Sequence, residues 1–381
     1  MNNKQHVQLT KVTDYDFVSA EKDKYGVFYS RDGLRLIDVD NKTFSCREYR
    51  IKESVKIICD YAFAGCSTII NVIIPDSVEV IGERAFSGCF FLREVSLGNS
   101  VKIIKEFAFK DCKALLELKL PESLEEIGLM AFSYTSLKEI VLPKSLLKIT
   151  GNPIVYNKVK FVNNSPNFTV ENENLFTKNK RVLISFQSNV TSYIIPKSVV
   201  AISGYAFYCC SSLKNILIPS SVTRIGRAAF YQCKSFKEII IPKSVQYIDR
   251  LAFRYCRNLK AVYIPDSVKR IGMYAFSDCQ EITTVRRGRS IYREYESMGL
   301  IATPPGNKEK IERMLPKYLH DIIKELTYKE FINCNMQLYE NIKTEREYDY
   351  NYLDRVKCPR CGDWYYVDDG VCDTCGYPWN E

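Results

Sequence analysis

Residues 213–233 have the sequence LKNILIPSSVTRIGRAAFYQC, and variants of this motif recur through most of the chain. The opening Leu-x-x-Ile-x-Ile predicts a short strand with Ile216 and Ile218 facing inward, because side chains alternate along a strand. Pro219 has no N–H to prolong a hydrogen-bonded ladder, so the strand ends there. Ser-Val-x-x-Ile-Gly then returns the chain, and Ala-Phe-x-x-Cys fills the interior. One such unit cannot bury its own apolar side, so we expect neighbouring units to cover it.

The units repeat at a fixed step of 23 residues within two groups. The Ala-Phe pairs end at Phe63, Phe86, Phe109 and Phe132, and then at Phe207, Phe230, Phe253 and Phe276. A fixed step of that size predicts stacked supersecondary units. The expected fold is a repeat solenoid, mostly β with short helical turns, arranged as two stacks of about four units.

This repeat motif resembles that of the BspA-like leucine-rich-repeat family, whose units have the sequence Leu-x-x-Ile-x-Ile-Pro-x-Ser-Val-x-x-Ile-Gly-x-x-Ala-Phe-x-x-Cys. The resemblance covers residues 45–288. It implies a curved solenoid that binds other macromolecules, often on a cell surface. It implies no catalytic residues.

Other segments surround the two stacks. A strand, polar turn and strand pattern precedes each stack, at residues 26–37 and 173–184. Apolar residues at helical spacing follow the second stack and predict helices that cap its open end, with a docking module for a partner as the alternative. The predicted domains are an N-terminal hairpin or cap (1–44), a first leucine-rich-repeat stack (45–150), an irregular join with a hairpin (151–190), a second stack (191–288), a helical cap or docking segment (289–355) and a zinc ribbon (356–381).

The C-terminal cysteines form the most specific chemical motif. Cys358 and Cys361 make one C-x-x-C pair, Cys372 and Cys375 make another, and ten residues separate the pairs. Two thiolates at this spacing bind one ion from a single turn, and a second pair completes a tetrahedron. A closed four-thiolate site leaves no position for substrate, so we expect one structural Zn²⁺. Iron in a rubredoxin-like site and a dithiol redox role are the alternatives.

Seven of the fifteen cysteines occupy one repeat position, three residues after the phenylalanine. Stacked thiols are able in principle to oxidise or bind metal, but a small apolar thiol is also a good filler of a repeated interior position. Thr135 takes this position in the fourth unit, which favours packing as the reason. The seven are Cys66, Cys89, Cys112, Cys210, Cys233, Cys256 and Cys279.

The position between the two inward residues of each strand faces outward. In the second stack this position is apolar or aromatic in every unit, which suggests a protein-contact face. The strand preference of β-branched residues is the alternative explanation. The candidate partner-binding residues are Ile194, Leu217, Ile240 and Tyr263, with Ile73 and Val141 from the first stack.

The chain carries 54 Lys and Arg against 45 Asp and Glu, a net charge of +9. The positive excess lies before residue 301. A basic surface attracts nucleic acid or an acidic protein, and the alternative is a solenoid flank that lysines keep soluble. A local cluster identifies candidate nucleic-acid contacts at Arg286, Arg287, Arg289 and Arg293.

Enzymatic activity is not expected. The chain has two histidines, His6 and His320, and no phosphate-binding glycine motif. Cys334 follows His320 in the helical tail, but its surroundings lack a catalytic signature, so we expect neither catalysis nor a small-molecule substrate. The first residues lack the apolar core of a signal peptide, and no apolar run is long enough to span a membrane. Together with reduced cysteines, this predicts a cytoplasmic protein without a membrane partner.

The function expected from the sequence is therefore non-catalytic. We predict a protein-recognition scaffold that binds a partner protein on the exposed strand face, with the zinc ribbon as a second contact element. The alternative is a nucleic-acid-binding or regulatory protein that uses the basic solenoid flank and the ribbon.

Overall fold

The computed structural model describes residues 10–265, 267–279, 284–287, 355–357 and 364–366. The chain divides into two compact units, Met1–Ser188 and Asn189–Glu381. The described residues form mostly-β solenoid coils, about ten in all, with almost no helix. Over this part of the chain, no helix is both long enough and apolar enough to cross a membrane.

The described part of the first unit begins with one short helix and continues as strands. In chain order these are α1 (Asp14–Ser19), β1 (Glu21–Lys22), β2 (Val27–Tyr29), β3 (Arg35–Val39), β4 (Glu48–Arg50), β5 (Ile57–Ile58), β6 (Asn71–Ile73), β7 (Val80–Ile81), β8 (Glu94–Ser96), β9 (Ile103–Ile104), β10 (Glu126–Ile127), β11 (Glu139–Leu142), β12 (Lys148–Ile149), β13 (Lys160–Asn163), β14 (Phe168–Glu171), β15 (Asn174–Thr177) and β16 (Val182–Ser185).

The described part of the second unit contains strands only. These are β17 (Ser192–Ile194), β18 (Ala201–Ile202), β19 (Asn215–Leu217), β20 (Arg224–Ile225), β21 (Glu238–Ile240), β22 (Tyr247–Ile248), β23 (Ala261–Ile264), β24 (Arg270–Ile271), β25 (Thr284–Arg287), β26 (Arg355–Lys357) and β27 (Trp364–Tyr366).

Two parallel ladders run through each unit. The return ladder is β3-β5-β7-β9-β10-β12 in the first unit and β18-β20-β22-β24 in the second. All of its strands except β3 come from Ser-Val-x-x-Ile or Ser-Leu-x-x-Ile segments. The strands that contain the outward position of each coil, with their in-register partners β4, β13 and β25, form the face ladder. Its pairings are β4-β6-β8 and β11-β13 in the first unit, and β17-β19 and β21-β23-β25 in the second.

Antiparallel strands accompany the ladders. In the first unit β1 and β2 pair antiparallel and lead into β3, while β14, β15 and β16 pair antiparallel near the end of the unit. The return ladder thus includes strands at both ends of the first unit that no Ala-Phe pair marks. This explains why the coils number about ten rather than the eight expected from two stacks of four.

A phenylalanine column fills the interior of each unit, as the repeat predicts. In the first unit Phe63, Phe86, Phe109 and Phe132 are fully buried, and consecutive ring centroids lie 5.0, 5.2 and 6.1 Å apart. The column of the second unit stacks at 4.8, 5.0 and 5.1 Å. These distances match the spacing of hydrogen-bonded strands, so the rings stack because the backbone of each coil pairs with the next.

The expectation of short helical turns was wrong. The residue two before each phenylalanine has a left-handed backbone, with φ of 65° at Tyr61, 53° at Arg84 and 58° at Phe107. A right-handed helix cannot contain such residues. Alternate N–H groups of this segment bond to the next coil instead, as when Phe63 N donates to Ala85 O (2.6 Å).

The serine of most Ser-Val or Ser-Leu pairs joins neighbouring coils. Ser77 Oγ donates to Val55 O at 2.7 Å, and Ser123 Oγ donates to Val101 O at 2.8 Å. The same bond recurs in the second unit, where Ser221 Oγ reaches Val199 O. The hydroxyl thus satisfies a carbonyl that the turn leaves open.

The repeated cysteine also joins coils. Cys89 Sγ donates to Phe63 O and Cys112 Sγ donates to Phe86 O, both at 3.1 Å. Burial raises the pKa of the Cys89 and Cys112 thiols well above the ordinary value, which keeps both protonated as donors. The cysteine column is therefore a structural filler that also makes a weak hydrogen bond.

Glycine after the return strand is required by a close approach of two backbones. A Cβ on Gly82 would lie 2.6 Å from Asp60 N, and one on Gly128 would lie 2.3 Å from Glu106 N. The coils could not keep their spacing with a side chain at either position.

Two predicted elements fall mostly outside the described residues. The helical segment 289–355 lies there except for Arg355, and so does the zinc ribbon 356–381 except for residues of β26 and β27.

Replacing Phe109 with alanine should lower the free energy of unfolding by about 3–5 kcal/mol, because the cavity lies between two stacked rings that cannot collapse. Urea unfolding followed by circular dichroism measures this. The control is Phe91→Ala, since Phe91 is 60% exposed and its loss should change stability by less than about 0.5 kcal/mol. Equal effects of the two variants would contradict the stacked core.

The buried thiols should resist alkylation. In folded protein treated with iodoacetamide near neutral pH, Cys89, Cys112 and Cys233 should stay unmodified, because the thiolate is the reactive form and burial raises their pKa. The half-exposed Cys209 is the internal control and should react. Peptide mass spectrometry reads out each site. Modification of Cys112 at the rate of Cys209 would show that the column is not closed to reagent.

Candidate functional site

The apolar row predicted for the second unit lies on the outside of the face ladder. Ile194 is 69% exposed, Leu217 is 58% exposed and Ile240 is 66% exposed. We call these three residues the stripe. Each holds the same place in its coil, and Ile194 and Leu217 are direct partners across β17 and β19.

Strand alternation positions the stripe. On either side of Ile240, the side chains of Ile239 and Ile241 are buried, which anchors β21 to the interior. Pro242 follows and ends the pairing, as the sequence predicts. The outward direction of each stripe residue is thus set by its buried neighbours.

The backbone of Tyr263 lies at the next position of this row, after Ile240. It pairs with Ile240 across β21 and β23, and its side chain lies outside the described residues.

The corresponding positions of the first unit do not make a continuous apolar row. Ile73 is half-buried and Val141 is 40% exposed. Exposed Ser96 and Lys119 occupy the coils between them. The structure therefore groups the candidate residues of the second unit and separates those of the first.

Sequence reasoning missed two sets of exposed lysines that flank the stripe. Lys214, Lys237 and Lys260 lie three positions before the outward residue of their coils, and Lys197 and Lys243 lie three positions after Ile194 and Ile240. We call these sets the leading row and the trailing row. The backbone confirms that the leading row is ordered by coil, since Lys260 N donates to Lys237 O at 2.8 Å. The signal was present in the sequence as lysine at a constant offset from the stripe.

The charge of this face is predominantly positive. Lys197, Lys214, Lys237 and Lys243 form no ion pair with any residue in the described part of the chain. Among the described residues of the coils that carry the stripe, from three before it to three after it, Glu238 is the one carboxylate. In the first unit, by contrast, Lys160 pairs with Glu139 at 2.9 Å on the same face.

The arginine cluster is described only in part. Arg286 and Arg287 belong to β25, where they pair in register with Tyr263 and Ile264 of β23. Arg289 and Arg293 lie outside the described residues.

The four cysteines of the predicted metal site, Cys358, Cys361, Cys372 and Cys375, also lie outside the described residues. The strands on either side of the first pair are described, and Lys357 of β26 faces Trp364 of β27 in an antiparallel pairing. Elsewhere, the residues that the structure describes contain no group of three or more His, Cys, Asp or Glu side chains arranged to hold a metal ion.

Solved structures with a similar fold include bacterial leucine-rich repeat proteins. One from Eubacterium ventriosum has a TM-score of 0.58 and 25% identity, covering 70% of this chain and 82% of that one. A leucine-rich cell surface protein from Faecalibacterium prausnitzii has a TM-score of 0.50 and 22% identity, covering 71% and 86%. The pneumococcal vaccine antigen PcpA has a TM-score of 0.50 and 24% identity, covering 67% and 66%.

A comparison with curated proteins found no match. The family model described as the BspA type leucine-rich repeat region matches six copies, over residues 40–179 and 184–296. These ranges contain the stacked phenylalanines, the inter-coil serine bonds and the stripe. The chain belongs to the BspA-type leucine-rich repeat family.

Proposed function

We propose that this chain is a protein-recognition scaffold that binds a partner protein through the stripe of Ile194, Leu217 and Ile240. Leucine-rich repeat proteins are generally non-enzymatic and serve as interaction scaffolds. The observation that carries the proposal is the unbroken exposure of these three apolar side chains on a strand face. Water should favour polar residues at such positions, and a continuous apolar row marks a contact surface.

The size of the stripe limits what it does alone. Fully burying one Leu or Ile side chain stabilises a complex by about 1.5–3 kcal/mol. Burying all three side chains contributes a free energy comparable to the roughly 4–15 kcal/mol that association costs in lost translational and rotational freedom. Stable binding therefore requires contacts beside the stripe as well as on it.

A second contact element is proposed at the C-terminus. Cys358 and Cys361 lie in the sequence between the paired strands β26 and β27, which is where a metal-binding turn of a zinc ribbon begins. With Cys372 and Cys375 they would supply four thiolates for one structural Zn²⁺. The ribbon would orient the partner or recruit a further component.

We propose the cytoplasm as the site of action. The cysteine columns use reduced thiols as hydrogen-bond donors between coils, as at Cys233 and Phe207 O (3.1 Å). A reducing compartment preserves these donors. The relative from Faecalibacterium prausnitzii is described as a cell surface protein, and that likeness extends to the fold alone.

The combined change Leu217→Asp and Ile240→Asp should abolish capture of the partner protein and leave the fold intact, because the carboxylates would be buried without partners in the complex. Quantitative affinity purification of the full chain with mass spectrometry identifies proteins lost from the variant. Each candidate is then purified and tested for direct binding.

The matched control is Phe91→Asp with Leu147→Asp, which alters two exposed apolar residues outside the stripe. It should capture the same protein as the unchanged chain. Full capture by a folded stripe variant would remove the stripe as the binding site.

Purified full-length protein should contain about one zinc ion per chain, and Cys358→Ser with Cys375→Ser should remove it. Inductively coupled plasma mass spectrometry distinguishes zinc from iron. The control is Cys89→Ser, which alters a buried thiol of the solenoid and should leave the zinc content unchanged. Iron in place of zinc, or no metal in the unchanged chain, would contradict the proposed site.

A further inference from the structure

Two lysine rows border the stripe on opposite sides, and their positions define a pattern. The leading row lies three strand residues from the stripe, about 10 Å along an extended chain. The trailing row follows the proline that ends each strand. Ile240 has a lysine on both sides, Lys237 and Lys243, whereas Leu217 has Lys214 on the leading side and Ile194 has Lys197 on the trailing side.

This pattern is specific to the second unit. The offsets that carry the leading row in the second unit carry Ile70, Arg93, Leu116 and Lys138 in the first. The trailing offsets carry Asp76, Asn99, Glu122 and Lys144. The first unit thus alternates apolar and cationic residues on the leading side and has two carboxylates and one lysine on the trailing side of an interrupted apolar row, so the repeat sequence alone does not require the lysines of the second unit.

The trailing row is short. Between Lys197 and Lys243 the coil of Leu217 has Ser220 at the corresponding offset, and after Lys243 the next coil has Asp266, while the leading row continues to Lys260. Positive charge on both sides is therefore concentrated at Ile240.

From this arrangement, and resting on the proposed function, we infer that the partner contributes an acidic amphipathic protein segment. Its apolar side chains cover Ile194, Leu217 and Ile240, and carboxylates on both edges of the segment face the leading and trailing rows. A helix about 10–12 Å in diameter has the width to bridge the space between stripe and lysines. The exposed lysines accelerate association and select for acidic partners more than they add affinity.

Anionic membranes and nucleic acids also carry negative charge, but the geometry favours a protein segment. Nucleic acid offers no apolar side chains to cover a stripe whose members are each more than half exposed. A membrane surface binds through a wide apolar face that enters the lipid, whereas here charged rows border a single column of apolar residues.

An unbiased peptide display selection against the full-length chain tests the inference. We expect random 16-residue peptides to become enriched for sequences with a net charge of about −3 or lower and several large apolar residues. In fluorescence anisotropy, the best peptide should bind Lys237→Glu with Lys243→Glu, one leading and one trailing lysine, at least about tenfold more weakly. Raising the salt from about 0.05 to about 0.5 M should also weaken binding several-fold, because the Debye length shortens.

The matched control is Lys138→Glu with Lys144→Glu, the same two kinds of position in the first unit, and it should bind the peptide with unchanged affinity. Circular dichroism should show that both variants are folded, since all four lysines are exposed. Enrichment of neutral or basic peptides, or no enrichment, would overturn the inference.

Other readouts separate this inference from the proposed function. If Leu217→Asp with Ile240→Asp removes peptide binding while the lysine variant does not, the stripe binds protein but the acidic partner is refuted. If neither variant changes binding, both ideas fail. Binding of phosphatidylserine vesicles or a single-stranded RNA oligonucleotide through the same lysines, with no acidic peptides selected, would also overturn the protein segment in favour of that ligand.

Discussion

Hydrogen bonds from each coil to the next are the constraint on which the rest of the structure depends. They run along the return ladder, along parts of the face ladder and through the left-handed turns, where Phe86 N donates to Ala108 O at 2.8 Å. Because each coil is hydrogen-bonded to the next along these three segments, equivalent residues of neighbouring coils lie about 5 Å apart. The stacked phenylalanines and the serine and cysteine bonds all use this spacing, and the glycines permit it.

A fixed spacing turns each column of the repeat into a row of side chains. Inside the coils this limits the choice of residue, because every side chain must pack against its own counterpart in the next coil. Phenylalanine meets this requirement because its rings stack, and cysteine meets it because its thiol donates a hydrogen bond to a carbonyl one coil away. Side chains on the solvent-facing surface have no such limit, so the outward columns differ between the two units. These columns are therefore available for the proposed partner binding.

The two units illustrate this freedom. They share the interior columns, yet the first has Ser96 and Lys119 between its apolar positions, and the second has an unbroken stripe bordered by lysines. Because the stripe alone contributes about as much free energy as association costs, stable binding requires further contacts, and the proposed role of the charged borders is to select the partner and speed its association. In the proposed function, recognition depends on the arrangement of these outward rows.

The sequence by itself determined the period, the inward and outward faces of each strand and the stacked interior, because these depend on side-chain polarity within one coil. The stripe was predictable for the same reason. The left-handed turns were not, since their geometry arises from backbone bonds to a coil 23 residues away that no local pattern reveals. Only the tertiary structure decided that the return ladder extends beyond the marked units and that Cys112 donates to Phe86 O. It alone also showed that the lysines at constant offsets from the stripe are exposed and ordered by coil, because contacts between coils exist only once the coils are stacked.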